Sequence, residues 1–171
     1  MRNPLIFALP AMTLAATPAL AAELKLTVEI PQLKVAEYHK PYVAIWVENQ
    51  NQAAVANLAV WYDVKKAKNE GETWLKDLRQ WWRRSGRELN MPVNGVSGAT
   101  RAPGVQAIGF DGKSALGKLP AGQYNLVIEA AREVGGREVV KVPFQWPPKG
   151  AQTGKARGTS ELGAVTLAAR P

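Results

Sequence analysis

YNLVIEAAREVGGREVVKVPFQW, Tyr124–Trp146, is the stretch that decides the fold class. Its two arms, Tyr124–Ala131 and Arg137–Trp146, are rich in β-branched and aromatic residues. Between them stands Gly135-Gly136, a pair that tolerates the positive φ angles of a tight turn. Two such arms joined by two glycines read as a β-hairpin. On the C-terminal side, PPKGAQTGKARGTS (147–160) is basic and rich in glycine and proline, and reads as a mobile loop before a last strand at Leu162–Ala168. On the N-terminal side, FDGKSALGKLPAGQY (110–124) reads as a turn after a strand at Val105–Phe110.

The β pattern starts early. Leu24, Leu26, Val28 and Ile30 alternate with polar residues, the period of a half-buried strand, and Pro31 closes the run. Tyr42–Glu48 and Asn57–Val64 form a second and third strand around the polar turn Asn49–Gln52. One segment breaks the pattern. In ETWLKDLRQWWRRSGRE (72–88), Trp74, Leu75, Leu78, Trp81 and Trp82 fall on one face of a helix, with Thr73 as N-cap and Gly86 as terminator. Seven short strands and one inserted helix, with no internal repeat and no second core, predict a mainly β protein, an immunoglobulin-like two-sheet sandwich.

The first residues predict export. Arg2, the apolar run Leu5–Ala16 and Ala19-Leu20-Ala21 have the layout of a secretory signal peptide cleaved after Ala21, and the apolar run is too short to span a membrane. Residues 22–171 then form a single domain outside the cytoplasm. The chain has no cysteine, which excludes disulfides and thiolate metal sites, and one histidine, His39, which excludes a multi-histidine site. The net charge of +8 favours anionic partners, though no nucleic-acid motif is present and DNA or RNA binding is not expected.

Enzymatic motifs fail on context. GVSGA (Gly95–Ala99) has the outline of a serine nucleophile elbow, but prolines flank it and His39 precedes the serine. FDGKS ends like a phosphate loop, yet Ala107 stands where that loop needs glycine. Trp81 and Trp82, beside Arg83 and Arg84, read first as a helix with buried tryptophans; a partly exposed ring there would be a surface for stacking a planar ligand.

The loop NGVSGATRAPG, Asn94–Gly104, is the functional candidate. Its Ser97-Gly98-Ala99-Thr100 run resembles the acceptor motif of periplasmic flavin transferases, an acidic residue, two variable positions and then Ser/Thr-Gly-Ala-Thr. The resemblance implies FMN attached to Thr100 through a phosphoester, with Ser97, Gly98 and Ala99 as transferase recognition. Asn94 stands where that family has aspartate, so this chain lacks the charge. Arg101 is adjacent and suited to neutralising a phosphate. Across Glu23–Ala169 the chain resembles the periplasmic family known as domain of unknown function 2271. That likeness rests on SGATRAPG, on the FDG at Phe110–Gly112, on Pro120–Glu133 and on the early LTVEIP. It implies a place beside membrane PepSY proteins and flavin transferases in extracytoplasmic electron transfer. The FDGKSALGKLPAGQY stretch also resembles the immunoglobulin-like domain of flagellar hook-capping proteins, with Phe110 in place of a common tryptophan.

The expectation is therefore a periplasmic, non-enzymatic redox protein carrying covalent FMN on Thr100. Its partners would be a flavin transferase and a membrane PepSY-type protein or cytochrome, with Trp81 or Trp82 as a ring contact. The alternative is a cofactor-free module whose basic surface docks an acidic partner or the membrane surface.

Overall fold

The computed structural model describes residues 22–171; the expected signal peptide lies outside them. Among the described residues nine strands form two sheets, two strands more than expected. A four-stranded sheet takes β1 (Glu23–Ile30), β5 (Gly104–Asp111), β8 (Gln152–Arg157) and β9 (Ala164–Arg170), in the order β5-β1-β9-β8. The five-stranded sheet runs β4-β3-β2-β6-β7, from β2 (Tyr42–Glu48), β3 (Ala54–Tyr62), β4 (Ser97–Ala99), β6 (Gly122–Ala131) and β7 (Arg137–Trp146). The β6–β7 hairpin is present, paired from Gly122↔Trp146 to Ala131↔Arg137.

A shared core lies between the sheets. Leu24, Leu26, Val28 and Ile30 of β1 meet Val43, Ile45 and Val47 of β2 and Leu126 and Ile128 of β6 there. The alternation of β1 has its expected consequence, one dry face and one wetter face. Strand β2 differs, because all seven of its residues are buried. Its other face, with Tyr42, Ala44 and Trp46, lies under a second apolar cluster that includes Leu75, Leu78 and Trp81. The five-stranded sheet is thus covered on both sides, and the reading of one core needs correction: a second, smaller one sits beneath the inserted segment.

That segment is not one helix. Residues Ala67–Asp77 form 3-10 turns broken at Lys68 and Asn69, only Arg79–Arg84 is α-helical (α1), and Gly86–Glu88 is a further 3-10 turn. The buried residues Leu75, Leu78 and Trp81 recur every third position, which suits a three-residue turn as well as an α-helix. Thr73 caps nothing; α1 starts where Glu129 of β6 accepts hydrogen bonds from the backbone N–H groups of Gln80 (3.0 Å) and Trp81 (2.7 Å). Gly86 is not the terminator, since Ser85 caps α1; it opens the next 3-10 turn against the Trp81 ring, where a Cβ would fall 2.6 Å from the indole.

Two further expectations fail. Residues 147–160 are not a loop throughout, because β8 pairs antiparallel with β9 from Gln152↔Ala169 to Arg157↔Ala164. Its Gly-Lys-Ala-Arg composition is that of an edge strand, where charge discourages pairing with other chains. Gln152 also donates to the Gln145 carbonyl and accepts from its N–H, tying β8 to β7. Ser97–Ala99 is likewise not loop: β4 pairs in parallel with β3 through Val60↔Ser97, Trp61↔Gly98 and Tyr62↔Ala99.

Two fully buried carboxylates fasten the insertion. Besides the two N–H groups, Glu129 accepts from Arg137 at 2.6 Å. Glu48 accepts from Trp46 Nε1, Gln80 Nε2, Arg84 Nη1 and Lys141 Nζ, at 3.1, 3.3, 3.1 and 2.7 Å. Replacing Glu129 leaves the buried Trp81 N–H without a partner and releases the Gln80 N–H and the partly exposed Arg137, so Glu129→Ala is expected to lower unfolding stability by about 3 kcal/mol. Urea unfolding followed by tryptophan fluorescence measures this; a loss under about 1 kcal/mol contradicts the anchoring role.

Candidate functional site

The antiparallel pairing brings the start of β2, the end of β3, the end of β6 and the start of β7 to one end of the five-stranded sheet. Parallel β4 finishes at that same end. A cavity of about 710 Å³ opens there, within the usual size range for small-molecule sites. Its wall combines Tyr38, His39 and Lys40 from the connector before β2, Trp74 and Arg79 from the insertion, and the β6–β7 turn. Thr100 lines it as well.

The acceptor segment is built from a turn and an edge. Gly95 has φ +74°, a conformation that favours glycine, and Ser97 N–H donates to the Val93 carbonyl at 2.9 Å. The Ser97 hydroxyl accepts from Val93 N–H at 2.9 Å, so its side chain is engaged within the turn. Asn94 is exposed on the same turn. Thr100 is the first residue past β4 and half-buried, and its hydroxyl donates to Asp63 Oδ1 at 3.5 Å, a long bond. Arg101 is exposed and holds its guanidinium 5.2 Å from the centroid of the Trp61 ring, a cation–π contact outside the cavity lining. A Cβ at Gly98 would meet only Trp61 Cδ1, at an ordinary 3.5 Å.

The structure separates the tryptophans. Trp81 is fully buried, with Nε1 donating to Asn57 Oδ1 at 2.8 Å, and has no ring surface to offer a ligand. Trp82 is half-buried beside it, ring centroids 6.2 Å apart, and does not line the cavity. Trp74, placed by its spacing in the buried stripe, is instead 43% exposed on the cavity wall. The 3-10 geometry turns it out of the stripe. Tyr38 and Arg132 carried no motif at all, and only the folded chain brings them to Thr100's cavity.

The polar chemistry of the wall is mixed: His39, Lys40, Arg79, Arg132 and Arg137 share it with Asp63, Asp77 and Glu133. Arg132 forms a two-pronged ion pair with Glu161, at 2.9 and 3.1 Å, with both side chains buried. Arg137 is held by Glu129. Among the described residues Lys40 and Arg79 form no ion pair, and neither do Asp63 and Asp77 on the same wall, so both signs of charge are present at the cavity. Two buried donors on the wall, Tyr38 Oη and Arg132 Nη1, have no hydrogen-bond partner. Among the described residues no cluster of three His, Cys, Asp or Glu side chains is arranged to hold a metal.

These features define a two-sheet β protein with a cavity at one sheet end. The chain belongs to the domain of unknown function 2271 family: the family model, described as a predicted periplasmic protein, matches residues 23–164. No curated protein and no solved structure matches the chain. No helix among the described residues is long and apolar enough to cross a membrane.

Tyr42, on the cavity wall, donates to the Gly71 carbonyl at 3.0 Å, and burial pushes its phenol from the ordinary 10 up to about 12. The folded form holds this proton more tightly. The stability it contributes is therefore intact below pH 10 and lost as pH rises from 10 towards 12. Tyr42→Phe is expected to cost about 1 kcal/mol at neutral pH and to make the alkaline loss shallower, both read from urea unfolding at a series of pH values.

Proposed function

We propose that this protein is a periplasmic FMN carrier whose attachment point is Thr100. The observation that carries the reading is the placement of that hydroxyl. It lies just beyond the paired residues of β4, on the wall of the 710 Å³ cavity that also carries the exposed Trp74. Gly98 supports it, since neither its backbone angles nor its neighbours require glycine. Small residues at Gly98 and Ala99 suit the close approach of a second protein to the outer edge of β4, the last strand of its sheet.

In the transfer, Thr100 Oγ attacks the FMN phosphorus of a flavin dinucleotide, the pyrophosphate P–O bond breaks and AMP leaves. The hydroxyl proton passes to a base of the transferase, which also supplies the metal. Lys40 and Arg79 would then oppose the phosphoester's negative charge more directly than Arg101, which is held over Trp61. Carried this way, the flavin would pass electrons between a membrane PepSY-type protein or cytochrome and a further acceptor.

Two sheets around a common core support an immunoglobulin-like architecture. The connectivity is another matter: β1 sits between β5 and β9, whereas the first immunoglobulin strand neighbours the second. The kinship we propose is thus one of architecture and not of strand order.

A second reading, a cofactor-free docking module, draws on the pairing of Ser97–Ala99 with β3, which a transferase would have to accommodate or displace. Intact mass after co-expression with a flavin transferase in a periplasm separates the two. The carrier predicts a gain of one FMN less water, abolished in Thr100→Ala. An unmodified mass, with a known acceptor protein modified in the same cells, overturns it.

A further inference from the structure

Nothing above says what holds the ring of a flavin, and two unpartnered donors point to an answer. Arg132 keeps only 6% of its side chain exposed, and Glu161 occupies its Nε and Nη2 but not Nη1. The Tyr38 hydroxyl is buried without a partner on the same cavity. A buried polar group left unpaired is costly, and native structures rarely keep two together without a reason. Glu161 also accepts from Gly136 N–H at 2.8 Å, so the β6–β7 turn and the Arg132 fork are held as one unit. The Arg132 side chain in turn packs on Gly135, where a Cβ would come within 2.4 Å of the guanidinium carbon. The fork is therefore fixed in place before any ligand arrives.

We propose that Arg132 Nη1 and Tyr38 Oη form a donor pair for the carbonyl edge of a planar heteroaromatic ring, with the Trp74 indole supplying an apolar contact surface in the same cavity. The ring class is the isoalloxazine, so the inference rests on the carrier reading and adds a ring-binding subsite to it. Two donors on one cavity, Arg132 held by Glu161, suit adjacent acceptor atoms such as the carbonyl oxygens and ring nitrogens of a flavin's pyrimidine edge. Burial and the nearby Glu161 charge outweigh Arg132 in raising the Tyr38 phenol above its ordinary value, which keeps the hydroxyl protonated as a donor. Both donor atoms are covered as the chain stands, so binding requires Tyr38, on the connector 31–41 without helix or strand, to move aside. A simple anion site is less apt, because Lys40 and Arg79 are the cations without ion pairs and they need no buried hydroxyl beside them.

The test uses full-length mature protein carrying Thr100→Ala, isolated without a transferase, so that covalent attachment plays no part. Riboflavin, which has the ring and no phosphate, is titrated while tryptophan fluorescence and calorimetry are followed. Saturable one-to-one binding is expected, weakened about tenfold by adding Tyr38→Phe, the loss of one hydrogen bond. Since the Tyr38 hydroxyl has no partner within the protein, Tyr38→Phe should leave the melting temperature unchanged or higher, which separates lost binding from lost folding. Trp74→Ala should weaken binding by a similar factor, and inorganic phosphate should not compete. Absence of saturable binding overturns the proposal, as does unchanged affinity in the Tyr38→Phe variant. Binding of phosphate without riboflavin marks an anion site and also overturns it. A protein that gains FMN by mass yet fails to bind riboflavin keeps Thr100 as carrier and loses the ring subsite, so the two failures are distinguishable.

Discussion

The buried carboxylate of Glu129 is the constraint on which the rest of the site depends. A carboxylate taken out of water costs several kcal/mol unless its oxygens are fully engaged. Glu129 is engaged by the first N–H groups of α1 and by Arg137, and the backbone donors contribute charge-assisted bonds where a helix start favours negative charge. The exchange runs both ways. The carboxylate is tolerable only with the insertion in place, and the insertion stays over the sheet only while the carboxylate holds its start. Glu48 repeats the arrangement with four donors on the neighbouring strand. Between them the two acids convert one face of a sheet into a second core. That core fixes Trp74 and Arg79 where they line the cavity.

Much of the β framework was legible because its residues alternate with period two. Strand β1 follows from that alternation, and β2, β6 and β7 from their β-branched and aromatic composition and the Gly135-Gly136 pair. What failed did so for identifiable reasons. Spacing of three between Leu75, Leu78 and Trp81 does not distinguish a 3-10 turn from an α-helix, and the deciding partner, Glu129, lies 48 residues from Trp81. Strand β8 carries the glycine and lysine that an exposed edge needs, and those residues read as loop. The continuous burial of Tyr42–Glu48 was a signal left unused: a run with no polar alternation until Glu48 calls for cover on both faces, and hence for a second core.

The candidate site was legible only in part. Thr100 and its small neighbours form a local motif, and the fold sets that hydroxyl on a cavity. The cavity itself was not readable, since its wall runs from Tyr38 to Arg137 and is assembled only by antiparallel pairing. The tryptophan that reaches it is Trp74, not Trp81 or Trp82. Trp81 and Trp82 are consecutive and basic-flanked, which drew attention, whereas exposure depends on the turn geometry around Trp74.

Charge gives the acceptor position a tension of its own. On the carrier reading, a phosphoester at Thr100 places a negative group within a few ångströms of the Asp63 carboxylate that now accepts its hydroxyl. Two like charges 4 Å apart repel by about 1 kcal/mol in water and about 4 kcal/mol near a protein surface. The repulsion removes the bond that holds Thr100 against β3 and favours movement of the modified side chain away from Asp63. Lys40 and Arg79, neither ion-paired among the described residues, are the cations on the wall free to meet the phosphate, and Asp77 and Glu133 on the same wall oppose it. Modification would then do more than add a cofactor. It would replace a long hydroxyl–carboxylate bond, at 3.5 Å, with a contact between the phosphate and a cation of the cavity wall.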